Sequence, residues 1–357
     1  MTIQKKQLLE SLKKCMPGIE TGNAVIQGAD SFVFHNGKIF TYNDVISVSV
    51  PIEQTGLVEE TVEGAVKAKE FYSIIEKFPS DEIEFVVKEK GWLLKCGRAR
   101  AELNLQEFDF ESRLNDITPT EEWVDTPEDF IQGIGVCQMT NNKTALSGIY
   151  INGKDIISTD GYQINNFTMK SELPMFYISD KSSNELLKVS GIKSMQVQGS
   201  WVHFKTEDGT VFSVKTLQSS SFPYDKVKSL IKANDFEKMD LHAKFPQEMF
   251  KAIERATSFG MEISERTAVK LELNKDGIMV SSERTSGRYA EKISWEEEMK
   301  DMEDLIIFVD TTMMSFVSNR STEFYLSKNP VGGRSVPRLF FVTDSSVHIM
   351  ATLEGKN

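Results

Sequence analysis

The stretch TALSGIYINGKDIISTDGYQINNF, residues 144–167, decides the fold of this chain. Two β-rich runs, residues 147–151 and 155–159, lie on either side of Asn152 and Gly153. Asn-Gly is the strongest short signal for a two-residue hairpin turn, because both residue types tolerate positive φ. The stretch therefore predicts a β-hairpin.

Hairpins of this kind recur along the chain, and the repeat is the most informative feature of the sequence. Equivalent turns are predicted at Asn36-Gly37 and Asp276-Gly277, each about a domain's length from the first. An amphipathic helix precedes each hairpin, a second helix follows it, and alternating strands end each unit. The repeat predicts an α+β protein of three similar domains, residues 1–118, 119–236 and 237–357. The predicted helices are residues 5–15, 69–78, 127–139, 180–189, 246–259 and 311–319.

Composition indicates a soluble globular protein. Of the 357 residues, 40% are hydrophobic and 26% are charged, and no apolar run is long enough to span a membrane. Cys15, Cys96 and Cys137 lie far apart, which predicts reduced thiols in a cytoplasmic protein and not a disulfide scaffold. The formal net charge of -12 argues against a protein that coats nucleic acid, although it allows contact through a restricted basic surface.

Several motifs carry a family resemblance. LSG at 146–148, STDGYQ at 158–163 and FPYDKV at 222–227, with CGRAR at 96–100 and VHIMATL at 347–353, resemble bacterial β sliding clamps, the processivity factors of replicative DNA polymerases. The resemblance covers essentially the whole chain, in order. It implies three domains of the DNA clamp fold, helices lining an inner face, antiparallel sheets outside, and a head-to-tail homodimeric ring around duplex DNA. The departures from common clamp motifs suit a bacteriophage or a divergent bacterium, and hence the cytoplasm of a bacterial cell or of a phage-infected host.

In that family, polymerases and clamp loaders insert a short apolar peptide into a pocket between the second and third domains. Tyr162-Gln163 stand where family members often carry His-Arg, and Met350-Ala351 stand where a proline is common. A groove containing methionine suits several partners, because thioethers repack easily. The alternative is that these residues form an ordinary domain–domain core. The positions that the resemblance assigns to the pocket are Leu146, Thr159, Gly161, Tyr162, Gln163, Ile164, Pro223, Lys226, Val227, Met313, Ile349, Met350, Ala351, Thr352 and Leu353.

The resemblance also implies that the helices present basic side chains to DNA. Contacts to phosphates attract the duplex without reading its sequence, and so they allow sliding. The alternative is that these side chains belong to ordinary solvated helix faces, since glutamates interrupt them. The candidates are Lys5, Lys6, Lys13, Lys14, Lys67, Lys69, Lys77, Lys181, Lys188, Lys251, Arg255 and Arg320.

Ring closure would join an edge of the first domain to an edge of the third. The matching positions are Ala101 and Leu103 on one side, and Ser258 and Phe259 on the other. Pairing across a dimer would cover strand edges that otherwise promote aggregation. The alternative for Phe259 is an ordinary core position.

Catalysis is the weakest functional hypothesis. GIYINGKD, residues 148–155, nearly matches a phosphate-binding loop, but it lacks the Ser or Thr that holds magnesium and leads into a strand. His35, His203, His242 and His348 show no metal-ligand spacing. We therefore predict no enzymatic activity and no metal or cofactor, with a nuclease or other DNA enzyme as a distant alternative.

Two functions remain. The first is a DNA sliding clamp that encircles duplex DNA and tethers the replicative polymerase. The second is a clamp-fold binding or scaffold protein that does not encircle DNA. The partners predicted for a clamp are double-stranded DNA without sequence preference, the polymerase and clamp loader, and a second copy of the chain, with no membrane partner.

Overall fold

A computed structural model describes residues 1–22, 26–57, 62–120, 122–139, 146, 148–299, 302–328 and 336–355. Ser147, in the first run of the predicted hairpin, lies outside these residues. The chain forms two compact units, one of Met1–Glu128 with Phe176–Leu217 and the other of Asp129–Met175 with Gln218–Asn357. Within the described residues, no helix combines the length and the apolarity that crossing a membrane requires.

Both units contain α-helices and β-strands, and most of the strands follow one another in runs between helices. The helices are α1 (Lys5–Cys15), α2 (Ala68–Lys77), α3 (Glu111–Ile117), α4 (Phe130–Val136), α5 (Asp180–Leu186), α6 (Tyr224–Lys232), α7 (Gln247–Ala256) and α8 (Thr311–Ser318). The strands are β1 (Thr2–Gln4), β2 (Ser31–His35), β3 (Lys38–Tyr42), β4 (Ile46–Pro51), β5 (Gly64–Lys67), β6 (Glu82–Lys88), β7 (Gly91–Cys96), β8 (Ala99–Asn104), β9 (Val124–Asp125), β10 (Ile149–Thr159), β11 (Gln163–Ile178), β12 (Ile192–Gln198), β13 (Trp201–Thr206), β14 (Val211–Lys215), β15 (Leu241–Lys244), β16 (Met261–Ile263), β17 (Arg266–Asn274), β18 (Gly277–Arg284), β19 (Gly287–Ile293), β20 (Leu305–Asp310), β21 (Glu323–Ser327), β22 (Arg338–Val342) and β23 (Ser346–Ala351).

The first unit contains two antiparallel sheets, in the orders β1-β6-β7-β8 and β5-β2-β3-β4-β14-β13-β12-β9. Strand β6 alternates as half-buried strands do, with Ile83 and Phe85 buried between exposed glutamates. Phe34 and Trp92 are buried and meet edge to face, with ring centroids 4.8 Å apart. Aromatic pairs of this kind contribute beyond the area that they bury.

The second unit contains a sheet in the order β10-β11-β23-β22-β21-β15 and another in the order β16-β17-β18-β19, with β20 on β17. Helix α7 packs on α8 and on β18. Its buried side chains Met249, Phe250 and Ile253 share one face, whereas Lys251 and Glu254 are exposed. This 3.6-residue period is the reason the segment forms an amphipathic helix.

The first predicted turn is confirmed and the second is wrong. Asn36 and Gly37 join β2 to β3 with φ of 47° and 68°, the conformation of a tight hairpin turn. In contrast, Ile149–Thr159 is one strand, β10, where the sequence predicts a turn at Asn152 and Gly153. Gly153 takes its positive φ of 61° within the strand, as glycines at bulges do.

The third predicted turn is displaced by one residue. Asn274 pairs with Gly277, so the turn between β17 and β18 consists of Lys275 and Asp276. The side chain of Asn274 accepts a hydrogen bond from the Asp276 amide at 3.0 Å. This local bond fixes the turn ahead of the Asp-Gly pair, because Asn side chains readily cap the backbone two residues on.

The predicted helices are present, although several are shorter than expected. Helix α1 has the predicted bounds, whereas α4 occupies Phe130–Val136 of the predicted 127–139. Helices α3 and α6 are additions to the predicted set. Helix α3 ends just before the predicted domain boundary at residues 118–119, and α6 begins directly after Pro223. Proline before a first helical turn is compatible with the helix, since the first amides need no intrahelical partner.

Asp180, at the start of α5, makes the stability of the first unit depend on pH. Its carboxylate is buried, has no hydrogen-bond partner within the described residues, and burial raises its pKa to about 6. The group binds a proton more tightly in the folded state, so its contribution to stability is lost as the pH rises from about 4 towards 6 and above.

We expect Asp180→Asn to raise the free energy of unfolding by about 1–3 kcal/mol at pH 7.5, because the neutral amide removes a desolvated charge. At pH 4 the gain should largely disappear, since the wild-type carboxyl is then protonated. Denaturant titrations of both proteins at the two pH values measure the difference. A gain that does not change with pH would contradict the assignment to this carboxyl.

Candidate functional site

A cavity of about 400 Å³ lies within the second unit. Its wall combines the β10–β11 connection, the first turns of α6, the β16–β17 turn, and the C-terminal segment around β23. A volume in this range suits a small ligand or a few side chains of a peptide. The lining residues are Leu146, Thr159, Gly161, Tyr162, Ile164, Pro223, Lys226, Val227, Leu230, Ser264, Val336, Arg338, Ile349, Ala351, Thr352, Leu353 and Glu354.

Hydrogen bonds made by side chains of the β10–β11 connection hold the backbone of that connection in place. One Asp160 oxygen, Oδ1, accepts the amide hydrogens of Tyr162 and Gln163, both at 2.9 Å. The Thr159 hydroxyl donates to the Gln163 carbonyl at 2.7 Å, and Gly161 supplies a positive φ of 88°. Asp and Gly are the residue types that this turn chemistry requires, which explains the local sequence TDG.

A buried ion triad lies behind this connection. The Arg266 guanidinium donates to Asp160 Oδ2 at 2.7 Å and to Asp310 Oδ2 at 2.9 Å, and each of the three side chains is at most 5% exposed. Burial, the largest effect, would lower the pKa of Arg266, but the hydrogen bonds to both carboxylates raise it overall. The arrangement joins residues far apart in sequence through charge-assisted bonds.

The second carboxylate of the triad also caps a helix. Asp310 Oδ1 accepts the amide hydrogens of Thr312 at 2.8 Å and Met313 at 3.1 Å, at the N-terminus of α8. The negative charge lies at the positive end of the helix dipole. Each Asp of the triad therefore holds Arg266 with one oxygen and local backbone with the other.

The C-terminal segment forms the part of the cavity wall next to the β10–β11 connection. Strand β23 pairs with both β11 and β22, and the Ala351 amide donates to the Tyr162 carbonyl at 2.8 Å. Beyond the strand, Thr352 donates to the Pro337 carbonyl and Leu353 to the Phe308 carbonyl, both through backbone amides. These bonds fix the segment up to Leu353 in place.

Most of the predicted pocket positions lie around the cavity, and three do not. Gln163, Met313 and Met350 are buried in the interior and do not line it. The positions brought together are Leu146, Thr159, Gly161, Tyr162, Ile164, Pro223, Lys226, Val227, Ile349, Ala351, Thr352 and Leu353.

Sequence reasoning missed the remaining lining residues, Leu230, Ser264, Val336, Arg338 and Glu354. Leu230 was detectable, because Lys226, Val227 and Leu230 share one face of α6 at helical spacing. Ser264 had no local signal: it reaches the cavity through the β16–β17 turn, where it has a φ of 51°.

Comparison with known proteins shows the fold. No protein-family model and no curated protein matches the chain. Among solved structures, the DNA polymerase sliding clamp of Bacillus subtilis is similar with a TM-score of 0.78 and 18% identity, covering 99% of each chain. The DNA polymerase III beta chain of Streptococcus pneumoniae is similar with a TM-score of 0.80 and 17% identity, covering 99% of each chain. The chain has the fold of the bacterial β sliding clamp. A third similar structure is the Helicobacter pylori beta clamp bound to a DNA ligase peptide, with a TM-score of 0.76 and 15% identity over 99% of each chain.

Most of the basic side chains predicted to face DNA in this clamp fold have protein partners. Arg255 binds Glu291 at 2.7 Å, and Arg320 donates to the carbonyl of Gly135 at the C-terminal end of α4. The other engaged side chains are Lys5, Lys6, Lys14, Lys67, Lys188 and Lys251. Within the described part of the chain, the exposed side chains Lys13, Lys69, Lys77 and Lys181 have no hydrogen bond or ion pair.

The positions predicted for ring closure lie beside strand edges of the clamp fold. Ala101 and Leu103 are half-buried on β8, which ends its sheet among the described strands. Ser258 and Phe259 follow α7, and the Phe259 ring packs closely against Gly287 at the start of β19. Strand β19 likewise ends its described sheet.

His203 on β13 and His348 on β23 are buried and bond to polar side chains of the protein. His203 bonds to the Ser213 hydroxyl at 2.7 Å, and burial lowers its pKa to about 4. His348 bonds to the Asn165 side chain, and burial lowers its pKa to about 3. Across the described residues, no group of three or more His, Cys, Asp or Glu side chains could hold a metal ion.

We expect Asp310→Ala to lower the free energy of unfolding by about 2–4 kcal/mol, because it removes the α8 cap and a charge-assisted bond to Arg266. Asp310→Asn is the matched control, since its amide oxygen can still accept the Thr312 and Met313 amides. Asp310→Asn should lower the free energy of unfolding by about half as much as Asp310→Ala does. Denaturant unfolding measures both, and equal stability of Asp310→Ala and wild type would contradict the role of the triad.

Proposed function

We propose that this protein is a DNA sliding clamp, which encircles duplex DNA and tethers the replicative polymerase as a processivity factor. The observation that carries the proposal is the full-length similarity to sliding clamps, which covers 99% of this chain in order. The three-domain organisation, residues 1–118, 119–236 and 237–357, with helices on the inner face of the ring, is part of the proposal. A cytoplasmic location in a bacterium or a phage-infected host is also part of the proposal.

Two copies would close the ring through the edges of β8 and β19. Each strand has a neighbour on one side within its described sheet, and antiparallel pairing across a subunit boundary would satisfy the free edge. Half-buried Leu103 and Phe259 lie at these edges and would bury further apolar surface on association. A head-to-tail contact of two different edges closes when the rotation between subunits is a half turn.

The cavity is proposed as the site for a short apolar peptide of the polymerase and the clamp loader. Its apolar side chains Ile164, Val227, Ile349 and Leu353 come from β11, α6 and the C-terminal segment, and would take the anchors of such a peptide. The Helicobacter clamp of the same fold is bound to a DNA ligase peptide, which supports a peptide as the ligand class. The proposed role is a tether between DNA and other proteins, not catalysis.

Mechanical capture explains how a chain with a net charge of -12 could hold DNA. A closed ring needs little affinity, so a small number of phosphate contacts would suffice. The cations available for them are Lys13, Lys69, Lys77 and Lys181, because the other candidates have partners within the protein.

Retention of the protein on circular but not on linear DNA would test the proposal, and the experiment needs no known clamp loader. The protein is mixed with nicked circular DNA at high concentration, its subunit contacts are fixed with an amine-reactive crosslinker, and the DNA is washed at about 1 M salt, where charges are screened within about 3 Å. We expect crosslinked protein to stay on the circle and to leave when a restriction enzyme cuts it. Linear DNA of the same sequence is the matched control. Equal retention on both DNAs would favour the scaffold alternative.

The lysines give a separate prediction. Replacing Lys13, Lys69, Lys77 and Lys181 by Gln should weaken DNA binding before crosslinking and lower the slope of log K against log salt by about 0.9 for each phosphate that is no longer neutralised. Replacing the paired Lys188 and Lys251 by Gln is the control, and should change the slope less. Fluorescence anisotropy across a salt series measures both. The same slope in all three proteins would exclude these lysines from the DNA interface.

A further inference from the structure

Tyr162 forms part of the cavity wall, and Arg266 lies behind it. The guanidinium carbon of Arg266 is 4.4 Å from the centroid of the Tyr162 ring, within the range of a cation–π contact. Arg266 is buried and does not line the cavity, whereas Tyr162 does. Arg266 would therefore act on a bound ligand indirectly, and Tyr162 is the lining residue whose ring it contacts.

The guanidinium is held in one orientation. Its two terminal nitrogens each bind a different carboxylate, Asp160 at 2.7 Å and Asp310 at 2.9 Å. Both carboxylates are themselves fixed by backbone amides, so the plane of the guanidinium cannot tilt without breaking a charge-assisted bond. The same Asp160 that orients Arg266 also fixes the amide of Tyr162.

Stability alone is a poor explanation for this arrangement. A buried ion pair commonly contributes little net stability, since apolar side chains of similar volume can replace it at little cost. Its distinctive effect here is geometric: it presents a flat cation to one face of an aromatic ring that borders the cavity. Pockets whose walls are ordered in advance bind more tightly, because less freedom is lost on binding.

We propose that Arg266 is a positioning residue for peptide binding, which holds the Tyr162 ring in the orientation that shapes the cavity before a partner arrives. The inference rests on the proposed function, because it requires the cavity to bind an apolar peptide. It assigns the triad a role in affinity beyond its role in holding the unit together.

Two variants remove the flat cation in different ways. Arg266→Lys keeps a positive charge but lacks the planar fork that binds two carboxylates and stacks on a ring. The triple variant Asp160→Asn, Arg266→Met, Asp310→Asn removes all three charges together and leaves amide oxygens for the backbone. Arg113→Met, at an exposed position on α3, is the matched control.

Two measurements are made on each protein. The first is the dissociation constant for the DNA ligase peptide of the Helicobacter clamp complex, with griselimycin, the compound bound to the Bartonella birtlesii clamp, as a second probe. The second is the fluorine NMR spectrum of 3-fluorotyrosine placed at position 162. Circular dichroism and denaturant unfolding establish that each variant is folded.

We expect both variants to bind about tenfold more weakly than wild type, and the position-162 resonance to move towards that of a free fluorotyrosine. Tyr162→Ala should weaken binding to a similar extent, and adding Arg266→Lys to it should cost nothing more, because the two residues act as one. The Arg113→Met control should match wild type in both measurements.

Wild-type affinity in a folded Arg266 variant would overturn the inference, and so would losses that add to those of Tyr162→Ala. If the triple variant does not fold, Arg266→Lys decides by the same criteria. Failure of wild type to bind either probe would contradict the proposed peptide site. The fluorine spectra would then still report whether Arg266 orders Tyr162, which separates the two failures.

Discussion

One guanidinium between two carboxylates is the constraint on which the candidate site depends. Asp160, Arg266 and Asp310 come from three distant parts of the chain, and each brings its own piece of backbone to the same point. Asp160 brings the β10–β11 connection, Arg266 the start of β17, and Asp310 the N-terminus of α8. The triad carries one net negative charge, and the amide hydrogens that converge on its outer oxygens compensate for it. Moving any one of the three elements would leave a buried charge without a partner.

Some other basic side chains of the described chain are also held by acidic groups or backbone carbonyls. Acidic residues outnumber basic ones by 53 to 41, and several of the cations predicted to face DNA lie in ion pairs with carboxylates. Arg255 is held by Glu291 and Tyr289, and Arg320 is held by the last carbonyls of α4 and by the Phe316 ring. Among the cations predicted to face DNA, the exposed side chains Lys13, Lys69, Lys77 and Lys181 have no hydrogen bond or ion pair within the described residues. Retention by a closed ring, as proposed above, would need only a small number of such contacts.

The sequence predicted what depends on local chemistry and missed what depends on distant contacts. The Asn36-Gly37 turn and helix α1 follow from residue type and period, and the structure has both. Asn152 and Gly153 have the same local signal as the first turn, yet they lie within β10, where Gly153 has a positive φ of 61°.

The candidate site was also predicted only in part, where motifs or local spacing identified its residues. Most of its wall was assigned through motif resemblance, and Leu230 was within reach of helical periodicity. The alternation of β11 and β23 does not reveal that Gln163 and Met350 point into the interior, since the strands are buried on both faces there. The pairing of Arg266 with Asp160 and Asp310 involves separations of 106 and 44 residues and leaves no trace in a local pattern.

The position of β23 has a consequence for biosynthesis. It is the last described strand of the chain, yet it is inserted between β11 and β22 in the middle of its sheet. While the ribosome is still translating, the β10-β11 pair and the β22-β21-β15 group have no strand to join them, and one wall of the cavity does not exist. A truncated or nascent polypeptide would therefore expose two open edges and offer no complete pocket. If the cavity binds a partner, as proposed, only chains translated beyond Leu353 would bind it.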